Sequence, residues 1–303
     1  MSIRVHLSVM NSVFVSDLDG TLLNNAANVS AHTASRLRHM LENGLQFTVA
    51  TARSIGAVRA LLGALPLPLP VIELNGAGLS DLATGKHLVL HTLSAETAAA
   101  VLEVLERRGF SPFVASFDGE LDRLSWSSLI NEGAEWYLGE KKRLNDARLR
   151  PVKCNSEVLT ESVVGFTTFG REAELLALTA DLNEAFEGNI QAQAIPNHYI
   201  PGWWELNINH PEARKDKAVL RLLKDFCAPG SVLTVIGDNL NDLEMFRVAD
   251  RSVAVANAVP EALDIADIVI ESNEGDGVVR FLDTELSLAA AKQRGSVLAD
   301  CLQ

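Results

Sequence analysis

The stretch Val13-Phe14-Val15-Ser16-Asp17-Leu18-Asp19-Gly20-Thr21-Leu22-Leu23 decides how the chain is read. Val13 to Val15 is a short β-branched and aromatic run, as expected of a strand buried on both faces of a parallel sheet. It ends abruptly on two carboxylates and a glycine. Outward from there, Ser30 is placed to cap a helix in which Leu37, Met40 and Leu41 fall at i, i+3 and i+4, with Gly44 as its left-handed terminus. Phe47 to Ala50 reads as the next strand, ending at Thr51, and Ile55 to Leu65 as the next helix. After a Pro66, Pro68, Pro70 spacer, Val71 to Glu73 gives a third strand that stops at Asn75-Gly76. This alternation predicts an α/β fold with a doubly wound, Rossmann-like parallel sheet.

The rhythm then breaks. Leu79 to Leu90 reads as a hairpin turning at Thr84-Gly85, Ala95 to Arg108 as a helix ended by Gly109, and mixed short elements follow to about Glu205. It resumes with Asp216 to Phe226 (helix), Val232 to Ile236 (strand), Asp242 to Val248 (helix), Val253 to Ala256 (strand), Pro260 to Ile265 (helix) and Ile268 to Ile270 (strand). The expected organisation is a core of residues 1–81 and 206–303 carrying an inserted α/β domain of residues 82–205. Thr284 to Gln303 adds a C-terminal helix.

Asp and Glu outnumber Lys and Arg, 39 to 26, for a formal charge of −13. A nucleic-acid or anionic-membrane partner needs clustered positive charge, so neither is expected. The basic run Lys141 to Lys153 reads as a solvated face. With 48% hydrophobic residues the chain can bury enough surface to fold. Cys154, Cys227 and Cys301 are too dispersed for a disulfide framework or a zinc site. Apolar runs are too short to span a bilayer, and the N-terminus lacks the features of a cleavable leader. The expected setting is cytoplasmic.

Unusual polar residues cluster at the strand ends, where an open α/β sheet binds its ligands. Asp17 and Asp19 follow the first strand, Thr51 the second, Asn75 the third, and Gly237-Asp238-Asn239-Leu240-Asn241-Asp242 a later one. Asp17 and Asp19, two apart on an extended backbone, would project to one side. With Asp238 and Asp242 they would repel unless a cation intervenes, and Mg²⁺ suits a few carboxylates with water and phosphate. Gly20-Thr21 offers backbone N–H groups to an anion, and Lys215, just before a helix that Asp216 would cap, offers a point charge. Together these describe phosphoryl transfer. His87 and His91 lie about 13 Å apart in a strand pattern, too far to share a metal. Gly76-Ala77-Gly78 lacks the rest of a dinucleotide loop. Trp203-Trp204 reads as packing where the insertion returns to the core.

The set Asp17-Leu-Asp-Gly-Thr-Leu-Leu23, Thr51-Ala-Arg53, Lys215 and Gly237-Asp238-Asn-Leu-Asn241-Asp242 resembles the haloacid dehalogenase superfamily. Within it, the chain is similar to the Cof-like sugar phosphatases, whose type IIB α/β cap is inserted as here. Asn75-Gly76-Ala77 and the tail from Asn257 through Asp267 to Val278 resemble that subfamily's further signatures. The resemblance implies a Mg²⁺-dependent phosphatase of small phosphorylated metabolites. It makes Asp17 the nucleophile that becomes an aspartyl-phosphate, and Asp19 the general acid and then base. It has Asp17, Asp238 and the backbone carbonyl of Asp19 hold the metal, with Asp242 behind them, while Leu18, Thr51, the Ala52 backbone, Lys215 and Asn241 bind the phosphoryl group. Ala52 and Asp216 stand where glycine is common, and Asp216 puts an extra carboxylate beside Lys215. A phosphomutase on the same core and a non-enzymatic receiver-like phospho-acceptor are the alternatives; the inserted domain and the Asp17-x-Asp19 spacing argue against the receiver.

Overall fold

The computed structural model describes residues 11–300 except His198, with side chains described as far as residue 291. The leader reading at the N-terminus and Cys301 lie outside those residues. The chain forms two compact units, one made of the residues up to Val89 and from Arg214 onward, the other of Leu90–Ala213. The divisions fall eight residues later than the expected 81/82 and 205/206.

In the first unit, Ser12–Ser16 (β1) leads through a tight turn over Leu18–Leu22 to Ala31–Glu42 (α1), then Gln46–Val49 (β2), Ile55–Leu62 (α2), Val71–Glu73 (β3), Gly78–Ser80 (β4) and His87–Leu90 (β5). The second unit runs through Ala95–Arg107 (α3), Phe113–Phe117 (β6), Asp122–Trp126 (β7), Glu132–Arg143 (α4), Leu149–Pro151 (β8), Ser162–Gly170 (β9), Glu172–Ala185 (α5), Gln191–Pro196 (β10) and Trp204–Asn209 (β11). The first unit is completed by Lys215–Phe226 (α6), Val232–Gly237 (β12), Leu243–Val248 (α7), Arg251–Val255 (β13), Pro260–Ile265 (α8), Ile268–Ile270 (β14) and Gly277–Asp300 (α9).

The first unit is built on a parallel sheet in the order β14-β13-β12-β1-β2, the α/β core that the strand and helix alternation predicts. Val15 lies opposite both Val235 and Thr48, and Val15, Val235 and Val253 are fully buried, which is why these strands read as continuous apolar runs. Ser30 Oγ accepts from Thr33 N at 2.9 Å and fixes the start of α1, and Gly44, at φ +95°, follows its end. Helix α2 stops at Leu62 rather than Leu65, since Gly63 caps it and Pro66 bars Leu65 from helical geometry. Helix α7 starts at Leu243 rather than Asp242, because residues 240–242 form a 3₁₀ turn. Helix α6 begins at Lys215 itself, so Asp216 lies in its first turn instead of capping it.

The second unit carries the sheet β10-β11-β9-β6-β7-β8, antiparallel except for β7 beside β8. Leu206 and Ile208 pack with the α3 residues Val101 and Leu105 and the α5 residues Leu175, Leu178 and Leu182. Phe113, Leu124 and Phe169 pack with Ala134 and Leu138 of α4. Trp203 belongs to this second cluster, beneath the Arg171 guanidinium at 4.0 Å, while Trp204 packs on the first, so both are packing residues of this unit. The basic run is partly neutralised locally: Arg143 pairs with Glu140, Arg148 with Asp146, and Arg150 with Glu161.

Gly76 explains the incomplete dinucleotide loop. It adopts φ +100°, and a Cβ there would stand 2.3 Å from the Arg214 carbonyl, so this glycine admits the chain that enters α6. Gly76→Ala is expected to destabilise the protein by about 1–3 kcal/mol from the backbone conformation, with the overlap in addition. Gly109→Ala, also at positive φ but facing open space, is the control and should cost only about 1–2 kcal/mol. Urea titrations of both variants check the difference.

Candidate active site

Adjacent strand ends deliver the site residues to one rim. The parallel ladder continues past β1 and β2, with Asp17 N donating to Ile236 O at 2.8 Å, Ala50 N to Ser16 O and Thr51 N to Ile72 O, both at 2.9 Å. Asp17 follows β1, Asp238 follows β12, and Lys215 opens α6. Lys215 Nζ donates to Asp17 Oδ1 at 2.5 Å and to Asp242 Oδ1 at 2.7 Å, and all three side chains are buried. Asp242 spends its other oxygen on the backbone, accepting from Asp238 N at 3.1 Å and Asn239 N at 3.2 Å. Asp238 Oδ1 accepts from Thr21 Oγ1 at 2.7 Å.

Two glycines make this crowding possible. A Cβ on Gly20, which sits at φ +80°, would come within 2.4 Å of Asp238 Oδ2, and a Cβ on Gly237 within 2.6 Å of Asp242 Oδ2. The turn is braced from the tail of the chain, where Asn257 Nδ2 donates to Gly20 O at 2.7 Å and Asn273 Nδ2 to Leu23 O at 3.0 Å.

Carboxylate oxygens of Asp17, Asp238 and Asp242 lie within 4.8 Å of one another. Burial lifts the Asp17 carboxyl well above its usual range; Lys215 opposes the rise, and Asp242 and Asp238 add to it. Asp238 is likewise raised, to about 6, by burial first and then by Asp242 and Asp19, against the Thr21 hydrogen bond and Lys215. Burial works against the Lys215 ammonium, but Asp17 and Asp242 outweigh it and its pKa rises. Three carboxylates thus share one ammonium, a donor set of hard oxygens with a charge deficit that a small divalent cation fits. Because both Asp242 oxygens are already engaged, Asp17 and Asp238 are the better-placed direct ligands.

Asp19 departs from the strand-based expectation. The backbone turns after Asp17, and the half-exposed Asp19 carboxylate forms a two-pronged pair with Arg53, Nε to Oδ2 at 2.8 Å and Nη2 to Oδ1 at 2.6 Å. Its side chain therefore lies outside the metal-competent trio of Asp17, Asp238 and Asp242. Thr51 is buried, and its Oγ1 accepts from Arg53 N at 3.1 Å. Leu18 is a fully buried core side chain, so only its backbone can meet a phosphate. Ala52 is not among the residues with positive φ, so alanine in place of glycine carries no backbone strain. Asn241 is exposed and donates to Asn75 Oδ1 at 3.4 Å. Asp216 is taken up by Arg214 at 2.9 and 3.0 Å, and of Lys215 and Lys217 it is Lys215 that enters the acidic cluster. Arg53 and the two bracing asparagines had no individual role in the sequence reading; they stood inside quoted motifs, but only the folded chain shows their partners.

Strand-end carboxylates around a buried lysine at the rim of a parallel sheet are an arrangement suited to phosphoryl transfer. A family profile for haloacid dehalogenase-like hydrolases matches residues 14–282, and the chain belongs to that family. It is an enzyme of the Cof-like phosphatase type. The 5-amino-6-(5-phospho-D-ribitylamino)uracil phosphatase YwtE of Bacillus subtilis is 27% identical over 287 residues, covering 89% of this chain and 96% of that protein. The phosphatase YwpJ of the same organism is 26% identical over 293 residues, covering 88% and 96%. A haloacid dehalogenase-like hydrolase from Bacteroides thetaiotaomicron superposes with a TM-score of 0.73 at 21% identity, over 90% of this chain and 98% of that one. A sugar phosphatase of subclass IIB superposes with a TM-score of 0.68 at 19% identity, over the same shares. Among the described residues, no helix is long and apolar enough to cross a membrane.

The raised Asp238 pKa sets a pH dependence. Between about pH 4, where a free Asp ionises, and about 6, the folded metal-free protein keeps a proton that the unfolded chain has released. The stability that Asp238 contributes is therefore fully present below that window and is lost as pH rises through it. Mg²⁺ above pH 6 is expected to raise the melting temperature with concentration. In Asp238→Asn both the pH slope and the Mg²⁺ response should shrink, as thermal unfolding at several pH values would show.

Proposed function

We propose that the protein is a Mg²⁺-dependent phosphatase of small phosphorylated metabolites, sugar phosphates foremost, acting through an aspartyl-phosphate on Asp17. The observation that carries this reading is Asp17 itself: a buried carboxylate with one oxygen held by Lys215, in a carboxylate trio that needs a cation. In the proposed reaction an Asp17 oxygen attacks phosphorus and the bond to the leaving oxygen breaks, while Asp19 gives that oxygen a proton. Water then attacks the aspartyl-phosphate, its proton returns to Asp19, and inorganic phosphate leaves. Lys215, Thr51, Asn241 and the backbone of Leu18 and Ala52 stabilise charge on the transferring group. Bound between Asp17, Asp238 and the Asp19 carbonyl, Mg²⁺ would offset repulsion between nucleophile and phosphate. Both Asp19 oxygens are engaged by Arg53, so Arg53 must release Asp19 before it handles a proton. Leaving-group selection falls to the inserted unit in this reading, and the setting is cytoplasmic.

The test is phosphate release from an aryl phosphate and a panel of sugar phosphates, to which the phosphorylated ribitylaminouracil named for YwtE belongs. Mg²⁺ is expected to be required and EDTA to abolish turnover. Asp17→Asn should lower the rate roughly a thousandfold or more; unchanged activity in that variant would remove Asp17 as nucleophile. Retention of organic phosphate in a rearranged product would instead identify a phosphomutase.

A further inference from the structure

Glu73, at the end of β3, is a fully buried carboxylate that the proposed chemistry does not use. Its Oε2 accepts from Ile55 N, the first residue of α2, and its Oε1 from the Ser80 hydroxyl. His87 Nδ1 stands 2.9 Å from the same Oε1 and 2.8 Å from Ser80 Oγ. The single Ser80 proton goes to the carboxylate, so the hydrogen-bond inventory puts a proton on His87 Nδ1, shared between Glu73 and Ser80. Three donors from α2, β4 and β5 thus converge on one buried group, which makes its burial tolerable. Gly78 leaves it room: a Cβ there would lie 2.8 Å from Glu73 Cγ.

The segment that Glu73 begins also holds the loop between β2 and α2. Leu74 N donates to Arg53 O at 3.0 Å and Asn75 N to Thr51 O at 2.9 Å. With the Glu73 bond to Ile55 N, three consecutive residues grip positions 51, 53 and 55. We propose that Glu73, supported by Ser80 and His87, is a positioning residue that sets the Thr51-Ala52-Arg53 loop for phosphate, through hydrogen-bond reach and not through its charge.

The proposal rests on the phosphatase reading, and the two fail separately: a wild-type protein without turnover removes the reading, whereas the variants below are judged against an active wild type. Glu73→Gln keeps the length, its carbonyl accepting from Ile55 N and its amide facing Ser80 and a tautomerised His87. Glu73→Asp keeps the charge but is one methylene too short to reach both α2 and Ser80. The measurements, on Mg²⁺-loaded enzyme well below each variant's melting temperature, are KM and kcat for an aryl phosphate and competitive inhibition by inorganic phosphate. For Glu73→Asp, KM and the phosphate inhibition constant should rise together, roughly tenfold, with kcat changed less. For Glu73→Gln both should stay within about twofold of wild type. A lower melting temperature with unchanged kinetics in Glu73→Asp would make Glu73 merely structural and overturn the proposal. Loss in Glu73→Gln with retention in Glu73→Asp would overturn it in favour of a charge effect.

Discussion

Three buried carboxylates around one ammonium form the constraint on which the rest of the structure depends. Asp17 lies more than two hundred residues along the chain from Asp238 and Asp242, and Lys215 Nζ bonds directly to Asp17 and Asp242. Such a group holds together only if every charge is compensated, since an unpaired buried carboxylate costs several kcal/mol. The parallel sheet meets that demand by placing β1 and β12 side by side, so that Asp17 and Asp238 leave neighbouring strand ends. Helix α6 then presents Lys215 from its first residue. Even with Lys215 in place the ionised trio holds more negative charge than positive, an imbalance that a proton on Asp238 or a divalent cation can offset.

The same crowding explains where side chains are missing. Gly20 and Gly237 give up their Cβ atoms to Asp238 and Asp242, and Gly76 gives up its own to the backbone entering α6. Each is a close approach forced by the site. Asn257 and Asn273 brace the opposite side of the β1 turn, so residues 18–22 are held both by the carboxylates in front and by the chain's tail behind.

Much of this was legible in the sequence. Val13 to Val15, Val232 to Ile236 and Val253 to Ala256 stand out because central parallel strands are apolar on both faces, and the acids that end them stand out by contrast. The insertion was visible as a break in rhythm. Less legible was anything depending on partners distant along the chain. Nothing in Asp17-Leu18-Asp19 says that one carboxylate goes to a lysine and the other to an arginine, because the turn after Asp17 cancels the strand alternation on which their common direction was argued. Glu73 passed as the last residue of a strand; its burial becomes evident only once Ser80, His87 and Ile55 gather around it. Helix ends shifted by a few residues where a proline or a 3₁₀ turn intervened.

The two aspartates of the first motif are held in physically different ways. Asp17 is paired with a buried ammonium, and breaking that pair strands a charge in a low-dielectric interior, so its position is fixed. Lysine, as a point donor, takes one Asp17 oxygen and leaves the other for chemistry. Asp19 is half exposed and held by a guanidinium fork that occupies both of its oxygens, so solvent screens this pair more than the buried one. In the proposed reaction an incoming phosphate dianion would offer Arg53 the same bidentate geometry with more charge, giving the fork a second partner. Burial and the choice of cation thus suit Asp17 to the stationary nucleophile, and Asp19 to the releasable proton carrier, of the proposed two-step transfer.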